Sequence, residues 1–141
     1  MEVLLRTLAK VNYRIHTDAI KESLIPKLIT KQQANFIYAN EADLLNMALF
    51  GITAKEWKAQ HPDAKGNIRD EATIEQLIVL SHLESINSLL IRKDFSQTDR
   101  LTELNKVAIA QIKSLLGNNN MKNRLIGIGA FIPGNKQVMT S

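Results

Sequence analysis

The sequence predicts an all-α fold, a compact multi-helix bundle of about six helices closed by a short irregular C-terminal tail. Three observations lead there. Capping boxes stand at Thr30-Lys-Gln-Gln33, Thr53-Ala-Lys-Glu56 and Thr73-Ile-Glu-Gln76. In each, the hydroxyl takes a free first-turn N–H and the Gln or Glu side chain reaches back to the cap. Two long stretches in the second half repeat their apolar residues at helical spacing. No stretch has the alternation or turn chemistry of a robust strand.

The first helix runs over 2–16, extending to 24 if the chain passes Thr17-Asp18, a place suited to a break and a fresh cap. Leu4, Leu8, Val11 and Ile15 alternate by four and three, which is heptad spacing, and form a candidate dimer seam. Ile20 and Leu24 fall on another side. The next helices are expected at 31–38 and 41–50, with Asn40 capping the second and Glu41 and Asp43 favoured by its dipole. A short helix follows at 54–60. Pro26 and Pro62 end whatever precedes them, and Gly51 and Gly117 suit left-handed C-terminal positions.

The 74–92 helix has apolar residues all round: Ile74, Leu77, Ile78, Val79, Leu80, Leu83, Ile86, Leu89 and Leu90. Such a helix belongs in the middle of a bundle or at an oligomer interface. Its Ser81, Ser85 and Ser88 form a stripe of small residues along which another helix can pack. The 97–116 helix opens at Ser96-Gln-Thr-Asp99 and is one-sided. Leu101, Leu104, Val107, Ala108, Ile109, Ile112, Leu115 and Leu116 oppose Glu103, Lys106 and Lys113. The helical domain is thus 1–117 and the tail 118–141. The tail holds a loop signal, Asn118-Asn119-Asn120, then the glycine-rich apolar run Leu125-Ile-Gly-Ile-Gly-Ala-Phe-Ile132, which suits a docked extended segment or a loose end.

With 141 residues and 45% apolar content, one domain with a real core is expected. The chain has no cysteine, which excludes disulfides, thiolate metal sites and a thiol nucleophile, and suits a cytoplasmic location. Arg6, Lys10 and Arg14 break up any secretory signal, and no apolar run approaches the ~20 residues of a membrane span. The net charge of +4 is uneven: +3 over 1–31, −2 over 32–116 and +3 over 117–141. Basic ends are compatible with nucleic-acid contact and equally with solubility alone.

Little in the sequence promises catalysis. His16, His61 and His82 lack metal-ligand spacing, so neither a metal nor a cofactor is expected. His82 has Glu75 two turns earlier, which suits a surface ion pair. The serines have no nucleophile elbow around them. Gly127-Ile-Gly129 lacks the third glycine and the strand and helix of a phosphate loop. Asp70 and Glu71 adjoin a helix start and read as capping or ion-pair material. Two polar constellations remain. Arg6, Lys10 and Arg14 recur every four residues and form a strip, either a solvated face beside the seam or a track for a phosphate backbone. Asn67, Arg69 and Asp70 make a compact polar loop, either structural or the rim of a ligand pocket in a small enzyme or binding domain.

Several stretches together resemble the helical region that follows the KilA-N domain in bacterial and phage-related KilA-N proteins. They are Arg6-Thr-Leu-Ala-Lys-Val-Asn-Tyr-Arg-Ile-His-Thr-Asp-Ala-Ile-Lys21, Phe36-Ile-Tyr-Ala-Asn-Glu-Ala-Asp-Leu-Leu45, Ala48-Leu-Phe-Gly-Ile-Thr-Ala-Lys-Glu-Trp57, Lys65-Gly-Asn-Ile-Arg-Asp70 and Thr73-Ile-Glu-Gln-Leu-Ile-Val-Leu-Ser81. The resemblance covers about residues 6–116. It implies a non-enzymatic accessory module of a DNA-binding regulator of phages or mobile elements. The module's partner would be a second copy or a full-length KilA-N relative, and DNA contact would lie mainly in the KilA-N domain. That domain is absent from this sequence, so its DNA-contacting residues have no counterparts here.

Overall fold

The structure is a computed structural model that describes residues 2–116; Gly117 and the predicted tail 118–141 lie outside the described residues. Five helices follow one another: α1 Glu2–Ser23, α2 Lys31–Phe50, α3 Ala54–Gln60, α4 Ile74–Arg92 and α5 Gln97–Leu116. No strand occurs among the described residues.

The helix starts obey local chemistry. Thr30, Thr53 and Thr73 each close a full capping box, with hydroxyl to N3 backbone distances of 3.1, 3.1 and 3.2 Å. Ser96 Oγ accepts from the Asp99 backbone N–H at 3.2 Å. Gly51 stops α2 at φ 79°, where its N–H reaches the Met47 carbonyl at 3.0 Å. A left-handed residue there is naturally glycine.

Two expected breaks are absent. Asn40 caps nothing, and the helices expected at 31–38 and 41–50 are one continuous α2, which makes five helices rather than six. Glu41 is not at a helix start but in the interior, 2% exposed, where it meets a cation from α5. Tertiary pairing overrides the local cap signal. α1 likewise runs through Thr17, whose hydroxyl donates back to the Arg14 carbonyl at 3.1 Å, and ends at Ser23.

α4 is the central element and packs against α1, α2 and α5. The main core joins Leu44, Leu45, Ala48 and Leu49 of α2, Val79, Leu80 and Leu83 of α4, and Leu104, Ala108 and Ile112 of α5. A second cluster joins Ala19 and Ile20 of α1 to Ile91 of α4. By length and composition α4 also passes for a membrane span, but half of the relevant window is buried inside the bundle. Its all-round apolar character is that of a helix with three neighbours.

Leu83→Ala, at a fully buried position, should cost about 2–5 kcal/mol, and Thr73→Ala about 1 kcal/mol. Urea midpoints check both, with Thr73→Ser retaining most of the cap.

Candidate functional site

A buried polar cluster positions the surface that matters. Arg100 of α5 grips Glu41 of α2 with both guanidinium nitrogens: its Nη1 donates to Oε1, and its Nη2 donates to Oε2 at 3.1 Å. Asn87 of α4 donates to Glu41 Oε1 at 3.0 Å and to His16 Nε2 of α1 at 2.8 Å, while its Oδ1 accepts from Arg100 Nη1 at 3.1 Å. Gln97 donates to Glu41 Oε2 at 3.3 Å, and Arg100 Nε donates to the Phe95 carbonyl at 3.1 Å. Both amide hydrogens and the carbonyl oxygen of Asn87 are therefore used. His16 accepts through Nε2, so its proton sits on Nδ1.

Burial lowers the His16 pKa from 6.5 to about 4; the Glu41 carboxylate pulls it back up, and Arg100 and Arg69 push it further down. Nearby on α4, burial raises the Glu84 pKa from 4.5 to about 7, against the pull of Arg69. At neutral pH, His16 is a neutral acceptor, and Glu84 is poised at its titration point.

These contacts set the rotation of α1. Its inward line is Asn12, His16, Ala19 and Ile20, with Asn12 Nδ2 donating to Ser81 Oγ of α4 at 2.6 Å. At 3.6 residues per turn the seam lies about a quarter turn to one side of that line and the basic strip about a third of a turn to the other. Leu4, Leu8, Val11 and Ile15 are all exposed, as are Arg6, Lys10 and Arg14. The structure thus gathers the seam on one outward face and the strip on another.

The Asn67–Asp70 loop is closed on itself. Asn67 Oδ1 accepts from the backbone N–H groups of Arg69 and Asp70 at 2.9 and 3.3 Å, and Asp70 Oδ2 accepts from the Asn67 N–H at 2.7 Å. Gly66 leaves room for that carboxylate, which a Cβ would strike. Asn67 and Asp70 therefore serve their own backbone, and half-buried Arg69 acts electrostatically on His16 and Glu84. The groove that His82 lines does not include Arg69. His82 Nδ1 instead meets Gln111 Oε1 of α5 at 3.0 Å.

Cavities open on the described surface. A groove of about 370 Å³ between α1 and α4 is lined by Leu8, Asn12, Ile74, Leu77, Ile78 and His82, among others. A smaller one, about 180 Å³, lies beside Trp57, whose ring stacks on His61 at 4.5 Å.

The buried cluster was not foreseen from the sequence, although it left traces. Asn87 interrupts an apolar helix, and Arg100 sits near the start of α5, where the helix dipole disfavours a cation. Both oddities mark a residue held by something distant.

Glu41→Ala should cost about 3–5 kcal/mol by stranding buried Arg100, whereas Glu41→Leu with Arg100→Met should cost much less. Denaturant titration of the three chains checks this. The pH dependence separates into two opposed arms. His16 has a depressed folded pKa, so the unfolded chain binds more protons between pH 6.5 and 4, and this arm weakens the fold as pH falls through that window. Glu84 has a raised folded pKa, so the folded chain binds more protons between pH 7 and 4.5, and this arm weakens the fold as pH rises. Glu84→Gln should therefore leave stability falling on acidification below pH 6.5, and His16→Gln should leave it rising from pH 7 to 4.5. Each slope is at most about 1.4 kcal/mol per pH unit, read from urea titrations at stepped pH.

Compared with known proteins, the chain matches no family model, no curated protein and no solved structure.

Proposed function

We propose that this chain is a non-enzymatic helical accessory module of a KilA-N-type DNA-binding protein, acting in phage- or mobile-element-related regulation and working by self-association through α1. One observation carries the self-association. Leu4, Leu8, Val11 and Ile15 are 57, 50, 49 and 41% exposed, although they lie on a helix anchored to the bundle by the Asn12–Ser81 and His16–Asn87 hydrogen bonds and by buried Ala19 and Ile20. A heptad seam held outward is self-complementary about a two-fold axis. The link to KilA-N proteins rests on the ordered sequence motifs between Arg6 and Ser81.

In such a dimer most of the basic strip stays in water, because its centre at Lys10 lies about a third of a turn from the centre of the seam. A pair of strips doubles the positive surface available to a phosphate backbone. The module then sets the spacing of attached DNA-binding domains, and mixed oligomers with a full-length relative follow from the same seam.

Sedimentation at low to high micromolar concentration should show a wild-type dimer, and Leu8→Asp with Val11→Asp should be a monomer with unchanged helical content. A wild-type chain that stays monomeric throughout sinks the seam. A short duplex should bind only at low salt, and Arg6→Ala with Arg14→Ala should weaken that binding severalfold. Binding that ignores both salt and these substitutions removes the strip from the proposal.

A further inference from the structure

The groove between α1 and α4 is mainly apolar and lies beside the Asn12–Ser81 contact that ties the two helices together. Ile74 and Leu77 on its α4 wall are 54 and 39% exposed, and Leu8 faces them from α1. Its polar lining is Arg6, Asn12, Ser81 and His82. Ser81 Oγ accepts from Asn12 and keeps its own proton to donate. Such a site takes an apolar chain segment whose backbone still needs partners.

α5 ends on the side of the bundle from which the chain can reach the groove. α4 and α5 run antiparallel: Arg100 of α5 meets Asn87 of α4, and eleven residues later Gln111 meets His82. His82 itself lines the groove. The remaining turn and a half of α5 runs on in the same direction, towards the N-terminal half of α4. Residues 117–124 then span up to roughly 26 Å when extended, whereas the groove, from Ile74 to His82, is roughly 12 Å long.

The next eight residues, Leu125-Ile-Gly-Ile-Gly-Ala-Phe-Ile132, carry no charge. In an extended chain, alternate side chains share a face. Ile126, Ile128, Ala130 and Ile132 would make one apolar edge, and Gly127 and Gly129 leave the opposite edge low. A tether this short holds the segment at an effective concentration in the millimolar range, well above that of any second copy.

We propose that this groove docks the chain's own segment Leu125–Ile132, laid extended between α1 and α4. The proposal goes beyond self-association through the seam, with which the groove shares Leu8.

The full-length chain has no cysteine, so an introduced pair reports unambiguously. Leu77→Cys with Ile128→Cys should form a disulfide within one chain at least tenfold faster than the control pair Leu89→Cys with Ile128→Cys, where Leu89 lies near the far end of α4 and is 54% exposed. Mass and non-reducing gels read the product. Adding Ile126→Asp to the first pair should slow the bond tenfold while the helical signal stays unchanged. Equal rates in the two pairs, disulfides only between chains, or no slowing by Ile126→Asp would each overturn the proposal. Because the readout is within one chain, it can fail while seam dimerisation succeeds, and the reverse.

Discussion

The bundle depends on one buried ion pair. The side chains of Arg100 and Glu41 are each 3% exposed, and taking two charges out of water costs more than their attraction returns unless every remaining lone pair and proton is matched. Here they are matched. Glu41 receives Arg100 on both oxygens, Asn87 on one and Gln97 on the other, while Arg100 also donates to Asn87 and to the Phe95 carbonyl. The cluster draws on α1, α2, α4 and α5, four of the five helices. Apolar packing alone gives an all-round apolar helix such as α4 little reason to prefer one rotation. A single asparagine with three fixed partners supplies that reason.

The consequence for function runs through His16. As a neutral acceptor for Asn87, it ties α1 to the same cluster, and Asn12 repeats the tie one turn earlier at Ser81. With that side of α1 committed, the seam and the basic strip must point outward. The exposed leucines of α1 are thus a product of how its polar residues are bound, and not of loose packing. The groove against Ile74 and Leu77 lies beside that same Asn12–Ser81 contact.

Much of the fold was legible locally. The three capping boxes, the left-handed Gly51 and the one-sided face of α5 are encoded within a few residues and appear as read. The seam and strip of α1 were legible as spacings, and the centrality of α4 as all-round apolarity. Asn40 and Thr17 misled for one reason: a cap signal is worth about a kilocalorie per mole, and a helix that must carry Glu41 and His16 to a buried cluster outweighs it. The Asn67–Asp70 loop was legible as polar and compact. Whether its side chains face a ligand or their own backbone depends on distances of about 3 Å, which spacing does not encode.

The sequence by itself determined that this chain is helical, where most of its helices begin and end, and which faces are apolar, because those properties are set by neighbours within about four positions along the chain. Only the tertiary structure decided that Glu41, Asn87, Arg100 and His16 meet, since their partners lie up to 71 positions apart. It alone decided which apolar face of α1 is left to water, because that choice follows from where the buried polar groups of four helices converge.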